Sequence, residues 1–492
     1  MSGWIKSLWK DSIVYGIGYG VSRFLQIIIL PIIAQSLTLS EFGYYSNYVI
    51  FYTFAAGFFV FGLDSAVARF FYESTDKNYH KKLLSTAFFF ILLLSIISVA
   101  GISFMPGSVL TALKIPGEYS SAMPYVLACI PAVSLNNLFL SWFKWNRQKV
   151  YFLINSGGSV LLLLLPLLIT GKVSFIYIFQ VLLAGQVVVA FISAFLARSY
   201  LGVSFDVKIL RPLLVYGFPW LLVFLFGVSR TYLDRIFLTQ YLKDDVYGIY
   251  NFSVRIATLI SLVITAFDMS FGPLAYSIWN KPGAPLFFAR LQSMYIFLIS
   301  VVGCVICVAA PLIVQLLGGA KYQGAEKILP LLVFAAIPIS LINFSNLGTA
   351  YAKKSFLSTL SLFIGFSAVL ILNLLFTHIY LQVGAAASSL AGHVMIVIAG
   401  YIFSRKYYHI PFNFTKDALI FLLFFCLAIA AVHFPLFDNM FVNMAVQLLA
   451  ISVLTILFLI FIFPDEMTKV GNAIRGIKFG GSNENPVDLP RS

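Results

Sequence analysis

The sequence predicts an all-helical, polytopic membrane protein of about fourteen spanning helices, and three observations carry that prediction. Of 492 residues, 61% are hydrophobic and 10% charged, against roughly 45–50% and about 25% in a soluble domain. With a mean hydropathy of +0.96, lipid must be the solvent for most of the surface, which excludes a soluble enzyme. The apolar residues fall in continuous runs of spanning length, and the basic residues sit between those runs. Barrel strands would instead show alternating segments of about 10 residues.

The runs occupy residues 12–36, 41–63, 83–104, 125–142, 150–170 and 173–196. A second set follows at 212–238, 247–274, 286–308, 328–351, 356–376 and 383–403, and 418–434 and 441–463 complete the count. The first run is too long for a signal-peptide core and has no small-residue cleavage site, so it is expected to remain as a helix. Both termini and the even-numbered connections, counting Arg290 just inside its run, hold 23 Lys and Arg against 5 in the odd-numbered connections. The positive-inside rule then puts both termini in the cytoplasm. A net charge of +14 therefore reads as topology and not as nucleic-acid binding. The polar stretch 464–492 is expected to be a disordered cytoplasmic tail.

An internal repeat divides the chain. Val14-Tyr15-Gly16 recurs as Val215-Tyr216-Gly217, and Phe42-Gly43-Tyr44-Tyr45 as Tyr247-Gly248-Ile249-Tyr250. Ile130-Pro131 recurs as Ile337-Pro338, with Asn136 matching Asn343, and Leu183-Ala184-Gly185 recurs as Leu390-Ala391-Gly392. These offsets drift only from 201 to 207, as expected for a duplicated six-helix unit. Six is even, so the copies enter the membrane in the same direction, related by a pseudo-two-fold axis along its normal. The expected domains are 1–203 and 204–406 as parallel lobes, 407–463 as two further helices, and 464–492 as the tail. Two parallel lobes around a midplane site form a recurring transporter plan.

Chemistry is sparse. There is no phosphate-binding loop of the G-x-x-x-x-G-K-[ST] type, no H-E-x-x-H, and the five histidines are scattered. The four cysteines lie in apolar stretches, where Cys304 and Cys307 read as small buried hydrophobes. No cofactor or metal is expected. The non-cytoplasmic connections are short, which disfavours a membrane glycosyltransferase or polymerase, so the chain is expected not to be an enzyme.

The positive signal is ionisable residues inside the runs, each costing about 2.5–3.5 kcal/mol or more at mid-helix. Arg23 lies near the middle of the first run. Arg230 and Asp234 stand at i, i+4 on the seventh, with Arg235 one position round, and Asn251, Arg255 and Thr258 share a face of the eighth. Arg23, Arg230 and Arg255 predict a basic patch between the lobes that suits a polyanion. The competing structural reading pairs Asp234 with Arg230 or Arg255 and lets Arg235 snorkel to the surface. Asp64 and Asp268 are repeat-related acids at helix ends, candidates for a gate or for proton coupling, although pairing with a nearby Arg, Arg69 for Asp64, is the expectation for such acids. Asp234 is a third candidate for ion coupling. Tyr45, Tyr48 and Tyr52 share one face of the second run, either to stack on sugars or to pack between helices.

Three segments carry a family resemblance: Asp11-Ser12-Ile13-Val14-Tyr15-Gly16, Ser40-Glu41-Phe42-Gly43-Tyr44-Tyr45, and Gly62-Leu63-Asp64-Ser65-Ala66-Val67-Ala68-Arg69-Phe70-Phe71. With Asp234-Arg235-Ile236-Phe237-Leu238 ahead of Tyr247, the chain resembles the polysaccharide-synthesis (O-antigen flippase) transporters of the multidrug/oligosaccharidyl-lipid/polysaccharide exporter superfamily. The resemblance implies a V-shaped two-lobed bundle in a bacterial inner or plasma membrane. It implies movement of undecaprenyl-pyrophosphate-linked oligosaccharide to the outer leaflet by alternating access, driven by an H+ or Na+ gradient, with membrane lipid, a polysaccharide polymerase and chain-length machinery as partners. Arg23, Arg230, Arg255, Asn251 and Tyr45 are then the expected substrate residues. A peptidoglycan-precursor flippase and a drug or cation antiporter of the same superfamily are the alternatives, the antiporter being disfavoured by the excess of Arg.

Overall fold

A computed structural model describes residues 20, 22, 24–171 and 173–462. Arg23, the 11–16 motif and the 464–492 tail lie outside them. The described residues form helices and turns with no strand. In chain order the helices are α1 (Phe24–Ser36), α2 (Leu39–Val60), α3 (Leu63–Phe71), α4 (Lys77–Ser103), α5 (Pro106–Ala112), α6 (Met123–Trp145), α7 (Lys149–Thr170) and α8 (Phe175–Leu196). They continue with α9 (Val207–Tyr241), α10 (Asp244–Ala257), α11 (Ile260–Ile278), α12 (Ala284–Val308), α13 (Ala310–Leu317) and α14 (Leu329–Ser340). The last are α15 (Ile342–Ser345), α16 (Leu347–Tyr351), α17 (Ser355–Ser404), α18 (Phe414–His433) and α19 (Met440–Ile462).

Among the described residues, twelve helical segments are long and apolar enough to cross a membrane, and the protein is a multi-pass membrane protein. The 50-residue α17 holds two of the predicted runs, broken at Leu381, whose φ of 49° and ψ of −124° leave the helical region. The apolar α1 is the described part of the first run. The chain separates into two compact units, Met1–His433 and Phe434–Ser492, and the second contributes α19. Large apolar side chains such as Phe104, Ile169, Phe191 and Phe195 are exposed, as a lipid-facing surface requires.

Local chemistry sets the breaks. Thr38 starts α2 with a capping box, its hydroxyl accepting from the Glu41 amide at 3.2 Å while its own amide donates to the Glu41 carboxylate at 2.8 Å. Phe61 and Gly62 take φ of 55° and 69° and end that helix before α3. Gly62 also abuts α9: a Cβ there would fall 2.2 Å from the Gly217 carbonyl. Small residues likewise let the two halves of α17 meet, since a Cβ on Gly392 would fall 2.2 Å from Val369.

The motif copies at 42–45 and 247–250 meet directly. Tyr44 donates to Asp244 at 2.5 Å, and Tyr247 donates to the Asn47 side-chain oxygen. Nearby, Lys321 Nζ donates to the Leu37 carbonyl at 2.5 Å, and Tyr322 lies buried with its hydroxyl on the Ala34 carbonyl at 3.3 Å. This end of the bundle is closed. The other end holds two cavities of about 910 and 930 Å3 that share Tyr216, Trp220 and Val223 of α9 as a wall.

Candidate functional site

The eighth predicted run is discontinuous. α10 ends at Ala257, Thr258 and Leu259 turn, and α11 begins at Ile260. Leu259 N bonds back to the Ile256 carbonyl at 2.9 Å and Ser261 N to the Thr258 carbonyl at 2.9 Å, spacings of three residues that tighten the chain. The Thr258 and Ser261 hydroxyls also bond back, to Arg255 O at 2.6 Å and Thr258 O at 2.5 Å, a habit that bends helices. Irregular backbone at membrane depth is tolerated where it lines a cavity, and one lies here.

That cavity, of about 100 Å3, is lined by Arg255, Thr258 and Ser261 from the break, Gln26 from α1, and Tyr45 and Phe42 from α2. A guanidinium, an amide, a phenol and two hydroxyls thus converge from both repeats on a space that holds a few waters. Asn251 stands apart: it is buried, its amide donates to the Tyr247 carbonyl at 2.9 Å, and its Oδ1 has no hydrogen-bond partner. Tyr48 packs 5.2 Å from the Phe179 ring and donates to the Tyr119 carbonyl at 3.0 Å. Of Tyr45, Tyr48 and Tyr52, only Tyr45 lines the cavity.

Arg230 is turned elsewhere. Its guanidinium meets Nε2 of His393 on α17, and the other ring nitrogen of His393, Nδ1, bonds the Ala335 carbonyl of α14 at 2.5 Å. Asp234 is buried and accepts from Tyr250 at 2.6 Å. No salt bridge joins it to Arg230 or Arg255. The expected Asp234–Arg pairing is therefore replaced by a neutral donor, the Tyr250 phenol one helix away. Arg235 does not snorkel either: it is buried, with its guanidinium 4.9 Å over the Tyr232 ring. Arg23 lies outside the described residues.

Asp64 lines the 910 Å3 cavity with Arg69, Lys144, Asn137, Trp145 and Trp220. The expected Asp64–Arg69 pair does not form, since Arg69 binds Glu73 at 3.1 Å one turn on. Asp64 occupies the first turn of α3, where the helix dipole favours a carboxylate. Asp268 accepts from Asn343 at 2.8 Å, whereas the repeat mate of that asparagine, Asn136, bonds Gln186 at 2.8 Å. The acids are equivalent in sequence and not in partners.

Sequence reasoning missed Gln26, His393, Tyr250 and Lys144. The His393 signal was an intramembrane histidine at a position where a polar residue is costly.

A family model described as polysaccharide biosynthesis protein matches residues 8–274. An uncharacterized membrane protein of Methanocaldococcus jannaschii is 21% identical over 453 residues, covering 84% of this chain and 88% of its own length. Among solved structures, the lipid II flippase MurJ in an inward closed conformation matches with a TM-score of 0.75 at 17% identity, covering 92% of this chain and all of that one. An inward-facing multidrug resistance MATE transporter of the MOP superfamily matches at 0.56 and 16%, over 83% and 95%. These structures share the fold, and the match over more than half of its residues makes the chain a member of the polysaccharide biosynthesis protein family.

Proposed function

We propose that this protein is a flippase, not an enzyme, that moves an undecaprenyl-pyrophosphate-linked oligosaccharide, the repeat unit of an O-antigen or another surface polysaccharide, to the outer leaflet by alternating access. The observation that carries the reading is the Arg255 cavity. A costly cation sits at a helix break between the two repeats, facing Tyr45 and Gln26, where a diphosphate would find charge and hydrogen-bond donors. By the charge count the end with the two large cavities faces the cytoplasm, so the closed 42–45/247–250 contact faces outward, in the bacterial inner or plasma membrane that the family resemblance implies. The Trp145 and Trp220 rings and the Asn137 amide of the 910 Å3 cavity suit a sugar chain awaiting transfer. A cation gradient drives the cycle, and a polymerase with its chain-length machinery receives the product.

The test is surface glycan per unit of membrane-inserted protein. Each Arg–diphosphate contact is worth about 1.5–3 kcal/mol, so Arg255→Ala lowers export by roughly one to two decades. Arg255→Lys rescues part of it, because a point charge replaces a bidentate fork. Wild-type export by Arg255→Ala overturns the assignment.

A further inference from the structure

Partners fix the protonation state of His393 without reference to any hydrogen position. The Ala335 carbonyl only accepts, so Nδ1 carries the proton, and the Arg230 guanidinium only donates, so Nε2 is a bare lone pair. The ring is neutral and buried. A proton arriving at Nε2 would turn an acceptor into a donor aimed at a guanidinium, setting two cations against each other away from water. Arg230 would have to leave.

A place for it exists one turn away. Arg230 and Asp234 are i, i+4 neighbours on α9, and Arg230 Nε and Asp234 Oδ1 are both buried without a hydrogen-bond partner. The other charged or titratable groups nearby are few. α9 also carries Tyr232, whose ring lies against Arg235, and Arg235 itself beyond Asp234, α10 sends the Tyr250 phenol to the other Asp234 oxygen, and α14 has no titratable side chain. On α17 itself His378, Tyr380 and Tyr401 are eight or more residues away. Arg230 is the charged group in direct contact with the His393 ring.

We propose that His393 is the proton-binding site of this transporter, and that a proton taken up on Nε2 hands Arg230 from His393 to Asp234. The proposal rests on the flippase reading and names its coupling ion as H+. Because α9, α14 and α17 meet at this one ring, the handover changes how α9 is held against the other helices of the second repeat.

The test reconstitutes the full chain in liposomes with a fluorescent undecaprenyl-pyrophosphate disaccharide as the probe. A pH gradient accelerates probe movement at least fivefold in wild type, and a sodium gradient does not. His393→Gln keeps a donor for Ala335 and an acceptor for Arg230 but takes up no proton, so it moves the probe at the gradient-free rate under both conditions. A wild-type response in His393→Gln overturns the proposal and leaves the flippase reading intact. A wild-type protein that moves no probe overturns the flippase reading for this substrate, and histidine ¹⁵N NMR of the full chain then decides the proton site. The His393 signal, identified by its loss in His393→Gln, shows a neutral Nδ1–H ring at pH 8. In Arg230→Gln it takes up its proton at least one pH unit higher than in wild type. An unshifted titration overturns the Arg230–His393 coupling.

Discussion

Gly43 and Gly248 hold equivalent places in the two repeats and touch across the closed end of the bundle: a Cβ on Gly43 would lie 3.6 Å from the Gly248 Cα. Their surroundings differ in how far they give. A Cβ on Gly43 would meet the Tyr247 ring at 3.0 Å, and a ring can shift, whereas one on Gly248 would fall 1.8 Å from the Leu39 carbonyl, which is backbone. Overpacking of this kind costs about 1–3 kcal/mol. Gly248→Ala therefore pries α10 from α2, lowering the thermal midpoint and raising maleimide labelling of a cysteine placed at Asn47. Gly43→Ala does less of both. Equal effects from the two would mean that the contact is not what closes this end.

The charge asymmetry makes a topological prediction. With 23 basic residues on one side and 5 on the other, a periplasm-active reporter fused after Ser492 stays silent, and one inserted in the connection before Asp244 is active. Activity from the first fusion would reverse the assignment of the cavities to the cytoplasmic side.

Tyr250 is fully buried, and its hydroxyl is the hydrogen-bond donor found for Asp234. Tyr250→Phe leaves the shape intact and removes that donor, stranding a carboxylate whose other oxygen already has no partner. A hydrogen bond to a charged group is worth about 1.5–3 kcal/mol, so the variant accumulates at lower membrane levels. Tyr250→Phe combined with Asp234→Asn recovers most of the loss. No recovery in the double variant would show that the phenol serves another group.

Spans were legible because twenty consecutive apolar residues form a local signal that needs no tertiary information, and even the break at Leu381 falls between two predicted runs. Arg255 was legible for a related reason, since cost at membrane depth marks a residue whatever its neighbours, whereas Tyr45 stood out only as one of three tyrosines on a shared helix face. What the sequence leaves open is direction. Arg230 and Arg255 read as one basic patch, yet one turns to His393 and the other to the α1 and α2 faces, because helical phase says which residues share a stripe and not which helix the stripe meets. Charge complementarity misled in the same way for Asp234 and Asp268. An acid in a dry interior is satisfied by any good donor, and Tyr250 and Asn343 are weaker sequence signals than an arginine. The helix break after Ala257 escaped notice since threonine and serine are common in membrane helices, and only the back-bonding hydroxyls reveal the bend.

α18 follows the second repeat in sequence, and a buried acid fastens it. Asp417 accepts from Ser293 at 2.5 Å and from Gln292 at 2.9 Å, both on α12, and Phe424 meets Phe297 of the same helix with ring centroids 5.8 Å apart. All three polar side chains are buried, so their hydrogen bonds have no aqueous substitute at hand. Asp417→Ala leaves the Gln292 amide and the Ser293 hydroxyl without their acceptor, a cost of about 1–3 kcal/mol for the buried groups left behind. Asp417→Asn keeps one acceptor and recovers part of it. The expected outcome is faster protease cleavage in the 405–413 connection and a lower thermal midpoint for Asp417→Ala, with Asp417→Asn between it and wild type. Ser293→Ala combined with Gln292→Leu removes the donors and strands the carboxylate, so in that background Asp417→Asn should raise the thermal midpoint instead of lowering it. If Asp417→Ala cleaves and melts like wild type, the aromatic contact and not the carboxylate holds α18 to the bundle.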